Sequence, residues 1–257
     1  MAVTTDGIAF ITSGLKYPPY NTASGADGAV YTFDLTDEDS RPEKVKILAP
    51  FDPYRLNPHG VTTFEPGDGR ILVYVVNHGS KFEKLEKFEY HVEKNEMKWI
   101  KQFKHDSIYS LNDIHMISED EFYFTNDQYF GIKNYFLRWL EYRFLLRFGS
   151  IGYCKHQKCQ LATNLNLGYP NGLTVRTVDR ENDEMVNKRQ LLVTESRANR
   201  ISVYDIDYTG TLTFRQTIAT SANMDNIFQD QDTVYVTGAP RNGYFEDDKF
   251  DPLRISG

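Results

Sequence analysis

Five short stretches of this sequence put a polar side chain at a turn just before an apolar strand start: T-D-G-I-A-F-I, N-P-H-G-V-T-T-F, L-N-D-I-H-M-I, P-N-G-L-T-V and M-D-N-I-F. With Asp6, His59, Asn112, Asn171 and Asp225 as markers, the intervals are 53, 53, 59 and 54 residues. If a fold gathers His59, Asn112, Asp113, Asn171, Asp225 and Asn226, the oxygen-rich set suits a hard cation, above all calcium. That ion takes about six to eight ligands from carboxylates, amide and backbone carbonyls and water. A plainer reading stands beside it, because Asn, Asp and Gly are ordinary turn residues whose side chains bond nearby backbone groups.

The elements around these residues are short β-type runs. Ile71–Val76, Glu121–Thr125, Gln190–Thr194, Arg200–Tyr204 and Thr233–Thr237 are rich in β-branched or aromatic residues and bounded by turn formers. In four of the five copies a stronger strand follows the marker: R-I-L-V-Y-V-V-N-H, D-E-F-Y-F-T-N-D, R-Q-L-L-V-T-E-S and D-T-V-Y-V-T-G-A. Copies two and four add further strands, K-L-E-K-F-E-Y and M-K-W-I-K-Q-F, then R-I-S-V-Y-D and T-L-T-F-R-Q-T. About four strands in roughly 40–55 residues is the pattern of a β-propeller blade. The expected fold is therefore all-β, a propeller, since a sandwich or jelly roll would not account for the even spacing. The innermost strand of each blade runs beside the central axis, so the marker residues converge although His59 and Asn226 are 167 positions apart.

Composition removes other classes. The chain has 257 residues, 40% hydrophobic, 25% charged and 14% aromatic, enough to bury a core. A formal net charge of -7 leaves no general basic field, and nucleic acid is not an expected partner. No apolar run reaches transmembrane length, and M-A-V-T-T-D-G does not read as a signal peptide. Cys154 and Cys159, the only two cysteines, either close a small hairpin disulfide or stay reduced. Asn134 to Phe148, N-Y-F-L-R-W-L-E-Y-R-F-L-L-R-F, is long enough for three to four helical turns but has no clean apolar stripe. With four basic residues and one acid from Lys133 to Phe148, it reads equally as packing on the propeller or as contact with a membrane or lipid surface.

I-A-F-I-T-S-G-L-K-Y-P, L-N-P-H-G-V-T-T-F, V-V-N-H, L-N-D-I, F-Y-F-T-N-D-Q-Y-F, N-G-L and M-D-N-I, in this order and spacing, resemble the paraoxonase/arylesterase family over nearly the whole chain. The resemblance implies a six-bladed propeller, two calcium ions in its tunnel, one catalytic and one structural, and hydrolysis of small-molecule esters or lactones. Asn112, Asn171, Asp225 and Asn226 match the family's ligands of the catalytic ion. Asp113 and the backbone carbonyl of Val61 match ligands of the structural one. His59 and His78 match a histidine pair near the catalytic ion, suited to taking a proton from water while the cation polarises the carbonyl. The competing view is that both are buried hydrogen-bonding residues beside turns. His91, His105, His115 and His156 read as surface or packing residues, His115 facing away from the axis. The stretch 134–148 matches a family helix near the active-site mouth. Extracellular or secretory-pathway residence follows from the resemblance alone.

There are departures. The family's adjacent Glu-Asp pair would precede Ala2, so each ion lacks one acidic ligand, and a sixth marker expected near 279 lies beyond Gly257. The expectation is thus a single propeller domain over 1–257, incomplete at both termini, with about five blades represented. The family's long-range cysteine pair has no counterpart. Gly238-Ala239-Pro240-Arg241-Asn242 stands where the family has Cys-His-Pro-Asn-Gly, and Asn199 where relatives commonly have His. A calcium-dependent arylesterase or lactonase, organophosphate esters included, is the first functional expectation. A non-enzymatic assembly factor for membrane proteins is the alternative, and a simple binding platform a third.

Overall fold

In the computed structural model the described residues are 1–16, 27–79, 82–131, 134–163, 166–181, 184–230 and 233–240; Arg241 and Asn242 of the departing run, and Lys133, lie outside them. The first sheet comprises β1 (Ala2–Val3), β2 (Ile8–Ser13), β3 (Ala29–Asp34) and β4 (Glu43–Lys44). The second is built from β5 (Lys46–Leu48), β6 (Pro58–Phe64), β7 (Ile71–His78), β8 (Glu83–His91) and β9 (Glu96–Phe103), with β5 joined parallel to β9 at its outer edge. The third contains β10 (Leu111–Ser118), β11 (Glu121–Asn126), β12 (Ser150–Lys155) and β13 (Lys158–Leu161), with helix α1 (Tyr135–Arg143) between β11 and β12. The fourth contains β14 (Pro170–Glu181), β15 (Glu184–Glu195), β16 (Arg200–Ile206) and β17 (Leu212–Ala219). A two-stranded fifth sheet pairs β18 (Ala222–Asp230) with β19 (Thr233–Pro240). These are four propeller blades and the inner strand pair of another. Cys154 and Cys159 face each other across β12–β13 and are disulfide-bonded, which settles the open alternative.

Alternation makes the second strand of each blade a wall between two interfaces. Leu72, Tyr74 and Val76 of β7 cluster with Ile114, Phe122 and Phe124 of the third blade. The intervening Val73 and Val75 cluster with Phe10 and Val30 of the first. In the same way β15 sends Leu191 and Val193 toward Tyr123 and Ile151, and Leu192 toward Ile227. Every residue of β7 is buried, which explains why it reads as a continuous apolar run. Each such side chain contributes about 1.5–3 kcal/mol on leaving water.

The marker at Asp6 differs from the other four. It sits in the turn between β1 and β2, whereas His59, Asn112, Asn171 and Asp225 lie on the inner strands β6, β10, β14 and β18. T-D-G-I-A-F-I resembles the others because it too is a polar turn before a strand, but that strand is the second of its blade.

Candidate metal and active site

All four inner strands break register at the same place, between Pro58 and Val61, Leu111 and Ile114, Pro170 and Leu173, and Met224 and Ile227. Each break is a bulge, an extra residue that bends the strand and re-aims its side chains. The residues within the breaks are His59, Asn112, Asp113, Asn171, Asp225 and Asn226. Gly60 and Gly172 occupy two of them because the inner strands nearly touch. A Cβ on Gly60 would lie 2.6 Å from the Asn112 carbonyl oxygen, and one on Gly172 2.6 Å from the Asn226 Cα.

A bulge leaves backbone groups without ladder partners, and threonines on the second strands supply them. Thr12 donates to the His59 carbonyl (2.5 Å), Thr125 to that of Asn171 (2.7 Å) and Thr194 to that of Asp225 (2.5 Å), each reaching from one blade into the next. Thr194 also donates to the Gly172 carbonyl at 3.2 Å. Valine in place of the buried Thr194 keeps the shape and strands two carbonyls; a loss of about 1–3 kcal/mol is expected, read from urea midpoints. An unchanged midpoint would show that the clamp is unimportant.

His59, Asn112, Asp113 and Asn226 line one tunnel cavity of about 620 Å³. His115 lines it too, contrary to the expectation that it faces away. The bulge is the reason: Leu111 pairs with Asn126 but Ile114 with Phe124, so the alternation shifts by one and His115, three residues on, falls on the same side as Asn112. Val61 buries its side chain in the core between the first two blades. His78 lies behind His59, with Nδ1 of His59 2.9 Å from Nε2 of His78, and Nδ1 of His78 2.5 Å from the Glu83 carboxyl. Sequence reasoning missed Glu83. It pairs directly opposite His78 across the β7–β8 hairpin, a register the sequence does not reveal.

Burial drives His59 down to about 4, and the neighbouring His78 adds to the effect, so its imidazole is neutral near pH 7. His115 is lowered to about 4 by burial alone. Both groups are more basic unfolded than folded, so stability is present above pH 6.5 and is lost as pH falls through about 4. Asp113 acts oppositely: burial raises it from 3.8 to about 6, and its contribution is lost as pH rises through that window. The part due to His115 can be isolated: His115→Asn should remove from the metal-free chain the stability that His115 adds as pH rises from about 4 to 6.5, read from urea titrations at several pH values; a profile identical to that of the parent protein would contradict the assignment.

The oxygen set passes a simple test of fitness for a hard cation. Asn171 Oδ1 is buried with no hydrogen-bond partner, while the Asn171 side chain bonds the Asp225 carboxyl. Asp225 is exposed on the β18 side, yet desolvation against its neighbours still raises it, and its charge raises Asp113 further. The buried Asn171 amide oxygen, the Asp225 carboxyl bonded to that side chain and the Asp113 carboxyl raised by the charge of Asp225 are groups that a cation would satisfy. Among the described residues no group of three or more His, Cys, Asp or Glu could hold a metal ion; the set is amide-rich instead.

Helix α1 sits at this end of the blades with its polar side inward. Buried Glu141 accepts from the backbone N–H of Tyr129 and Phe130. Arg138 reaches Ser110 Oγ (2.7 Å) and Asp127 (3.4 Å), and Arg197 stacks on Tyr142 at 3.7 Å. The helix has nine residues, shorter than the stretch suggests, and turns Phe136 and Trp139 outward, 68% and 51% exposed. A larger cleft of about 740 Å³, lined by Arg147 and Arg200, lies between the outer strands of the third and fourth blades, away from these groups.

The arylesterase family model matches residues 1–248. The chain belongs to the arylesterase family. Among arylesterase-family relatives, serum paraoxonase/arylesterase 2 of Gallus gallus is 28% identical over 253 residues, covering 96% of this chain and 68% of that protein. Serum paraoxonase/arylesterase 1 of Homo sapiens is 28% identical, covering 91% and 63%. Over a shorter stretch, 48% of this chain and 35% of the relative, human serum paraoxonase/lactonase 3 is 36% identical. The chain thus spans roughly two thirds of the length of these two paraoxonase/arylesterase relatives from Gallus gallus and Homo sapiens. The periplasmic gluconolactonase of Pseudomonas aeruginosa shares the fold, with a TM-score of 0.56 at 10% identity, covering 92% of this chain and 64% of that one.

Proposed function

We propose that this arylesterase-family chain is the larger part of a six-bladed, calcium-dependent hydrolase of carboxylic esters and lactones. The observation that carries the reading is the set of matched bulges: His59 lines one cavity with Asn112, Asp113 and Asn226, while Asn171 and Asp225 occupy the same bulge positions without lining that cavity. Asn112, Asn171, Asp225 and Asn226 would hold the catalytic calcium, and Asp113 with the Val61 carbonyl a structural one. A bound calcium supplies Lewis-acid polarisation of a substrate carbonyl and charge that stabilises its developing oxyanion. His59, neutral and half-buried, takes a proton from the attacking water, and His78 orients its ring. The relatives' names for ester and lactone hydrolysis support this chemistry.

The test is turnover of phenyl acetate and of a medium-chain lactone by this chain and by the full-length protein, with calcium and with chelator. Chelator-sensitive hydrolysis is expected; its absence from the full-length protein overturns the reading in favour of a non-enzymatic assembly role.

The outward aromatic face of α1 supports a second contact, with a lipid surface beside the tunnel mouth. Phe136 and Trp139 stack 6.2 Å apart, and Arg143 closes the same helix. Phe136→Ser with Trp139→Ser should weaken binding to anionic vesicles about tenfold without changing thermal stability; equal flotation of variant and parent would exclude the contact. Residence outside the cytosol is supported by the serum relatives and by the Cys154–Cys159 disulfide.

A further inference from the structure

We infer that Glu83 is a positioning residue for the histidine pair, fixing the tautomer of both rings so that Nε2 of His59 is the nitrogen that receives the proton. The inference rests on the hydrolase reading for its kinetic consequence, but its structural content stands without it.

A carboxylate accepts hydrogen bonds and has no proton to donate. Glu83 lies 2.5 Å from Nδ1 of His78, and the two side chains are 4% and 5% exposed, so water does not compete for this contact. Nδ1 of His78 must therefore carry the proton. In a neutral imidazole the other nitrogen, Nε2, is then an acceptor. That nitrogen faces Nδ1 of His59 at 2.9 Å, so His59 is the donor and carries its proton on Nδ1. With its proton on Nδ1, the neutral His59 ring carries its lone pair on Nε2, and His59 lines the tunnel cavity. One buried carboxyl thus dictates the state of a nitrogen two rings away.

Placement of Glu83 for stability alone is a poor explanation. Burying a carboxyl is costly, and a well-packed apolar residue is often as good or better for stability. The strand pairing sets it in line: Glu83 begins β8 directly opposite His78 at the end of β7.

The same line carries charge during turnover. When a water O–H bond breaks and Nε2–H forms on His59, the Nδ1 proton of His59 passes to Nε2 of His78. His78 then bears the positive charge, beside the Glu83 carboxylate. The Nε2 proton of His59 then goes to the leaving group while the relayed proton returns from His78 to Nδ1 of His59, which resets the pair, and no further reactant is needed.

Glu83→Gln and Glu83→Asp test this in the full chain. In the unsubstituted, calcium-free protein, ¹⁵N chemical shifts should show both His59 and His78 protonated on Nδ1. Glu83→Gln should convert at least one ring to a mixture of tautomers and lower kcat about 10–100-fold with KM little changed, whereas Glu83→Asp should keep the ¹⁵N pattern and recover part of kcat. The inference is overturned if His59 carries its proton on Nε2 in the unsubstituted protein. It is equally overturned if Glu83→Gln leaves the ¹⁵N pattern and kcat unchanged. Should neither protein hydrolyse any ester while the tautomers are as stated, the hydrolase reading fails and the positioning role survives.

Discussion

His59→Gln should reduce ester hydrolysis by about 10²–10⁴-fold, the usual contribution of a general base, and do so in kcat. The substitution keeps a hydrogen-bonding side chain of similar reach, so the contact with His78 and the bulge between Pro58 and Val61 are preserved. What it removes is a basic nitrogen. Because burial holds His59 near 4, the ring is already neutral at pH 7, and nearly all of the protein is in the proton-accepting form. A weaker base takes the proton less readily, but one that is never protonated in the resting state wastes no population, and the relay to His78 offsets the low basicity. The control lies in the metal set, which does not include His59. Thermal stabilisation by calcium should survive the substitution. Turnover undiminished in His59→Gln would remove the proposed base; loss of turnover together with the calcium response would mean that the whole tunnel had rearranged.

How far the sequence reaches toward this site is instructive. The second strands are legible because they are walls: β7, buried on both faces, has to be apolar throughout. The inner strands are legible through their turn residues, since the bulge demands Gly, Asn or Asp where the strands come closest. A turn-plus-strand pattern cannot say which strand of a blade it opens, and the copy at Asp6 belongs to a second strand for that reason. Nor does a sequence show a bulge, which is why simple alternation points His115 the wrong way. The inter-blade clamps did have a visible signal. F-I-T, F-Y-F-T, L-L-V-T and V-Y-V-T place Thr12, Thr125, Thr194 and Thr237 at matching points, and only the blade with Val76 lacks the hydroxyl. Helix α1 is ambiguous in sequence because its inward face is the polar one, with Glu141 as its buried residue. The partner of His78 is hidden for a different reason, since cross-strand pairing depends on a hairpin register that five residues of sequence leave undetermined.

Asp225→Asn should reverse the order of stability between the metal-free and calcium-loaded states. Without calcium, desolvation raises both the Asp225 and the Asp113 carboxyls, and the charge of Asp225 raises Asp113 further. Neutralising one of them relieves that repulsion, so the metal-free variant should be at least as stable as the parent protein. The amide also keeps an oxygen where the carboxyl stood, and the Thr194 clamp on the Asp225 backbone carbonyl is untouched. With calcium the comparison inverts. A ligand present at 100 times its dissociation constant stabilises by about 2.7 kcal/mol, and calcium affinity follows the number of charged ligands. Among the four matched ligands of the catalytic ion, Asn112, Asn171, Asp225 and Asn226, only Asp225 is charged, so its loss should remove most of the calcium shift and the hydrolysis with it. Asn171→Ala isolates the other half of the argument. It deletes the buried oxygen that has no hydrogen-bond partner, and therefore leaves little to lose in the metal-free chain except the bond to Asp225. Thermal melts of the three proteins, with and without calcium, decide the matter. Crossing curves for Asp225→Asn and a lost calcium response in both variants are expected. A calcium shift equal to that of the parent protein in Asp225→Asn would mean that the ion, if bound, sits elsewhere, and the amide-rich ring would then be a set of strand bulges and nothing more.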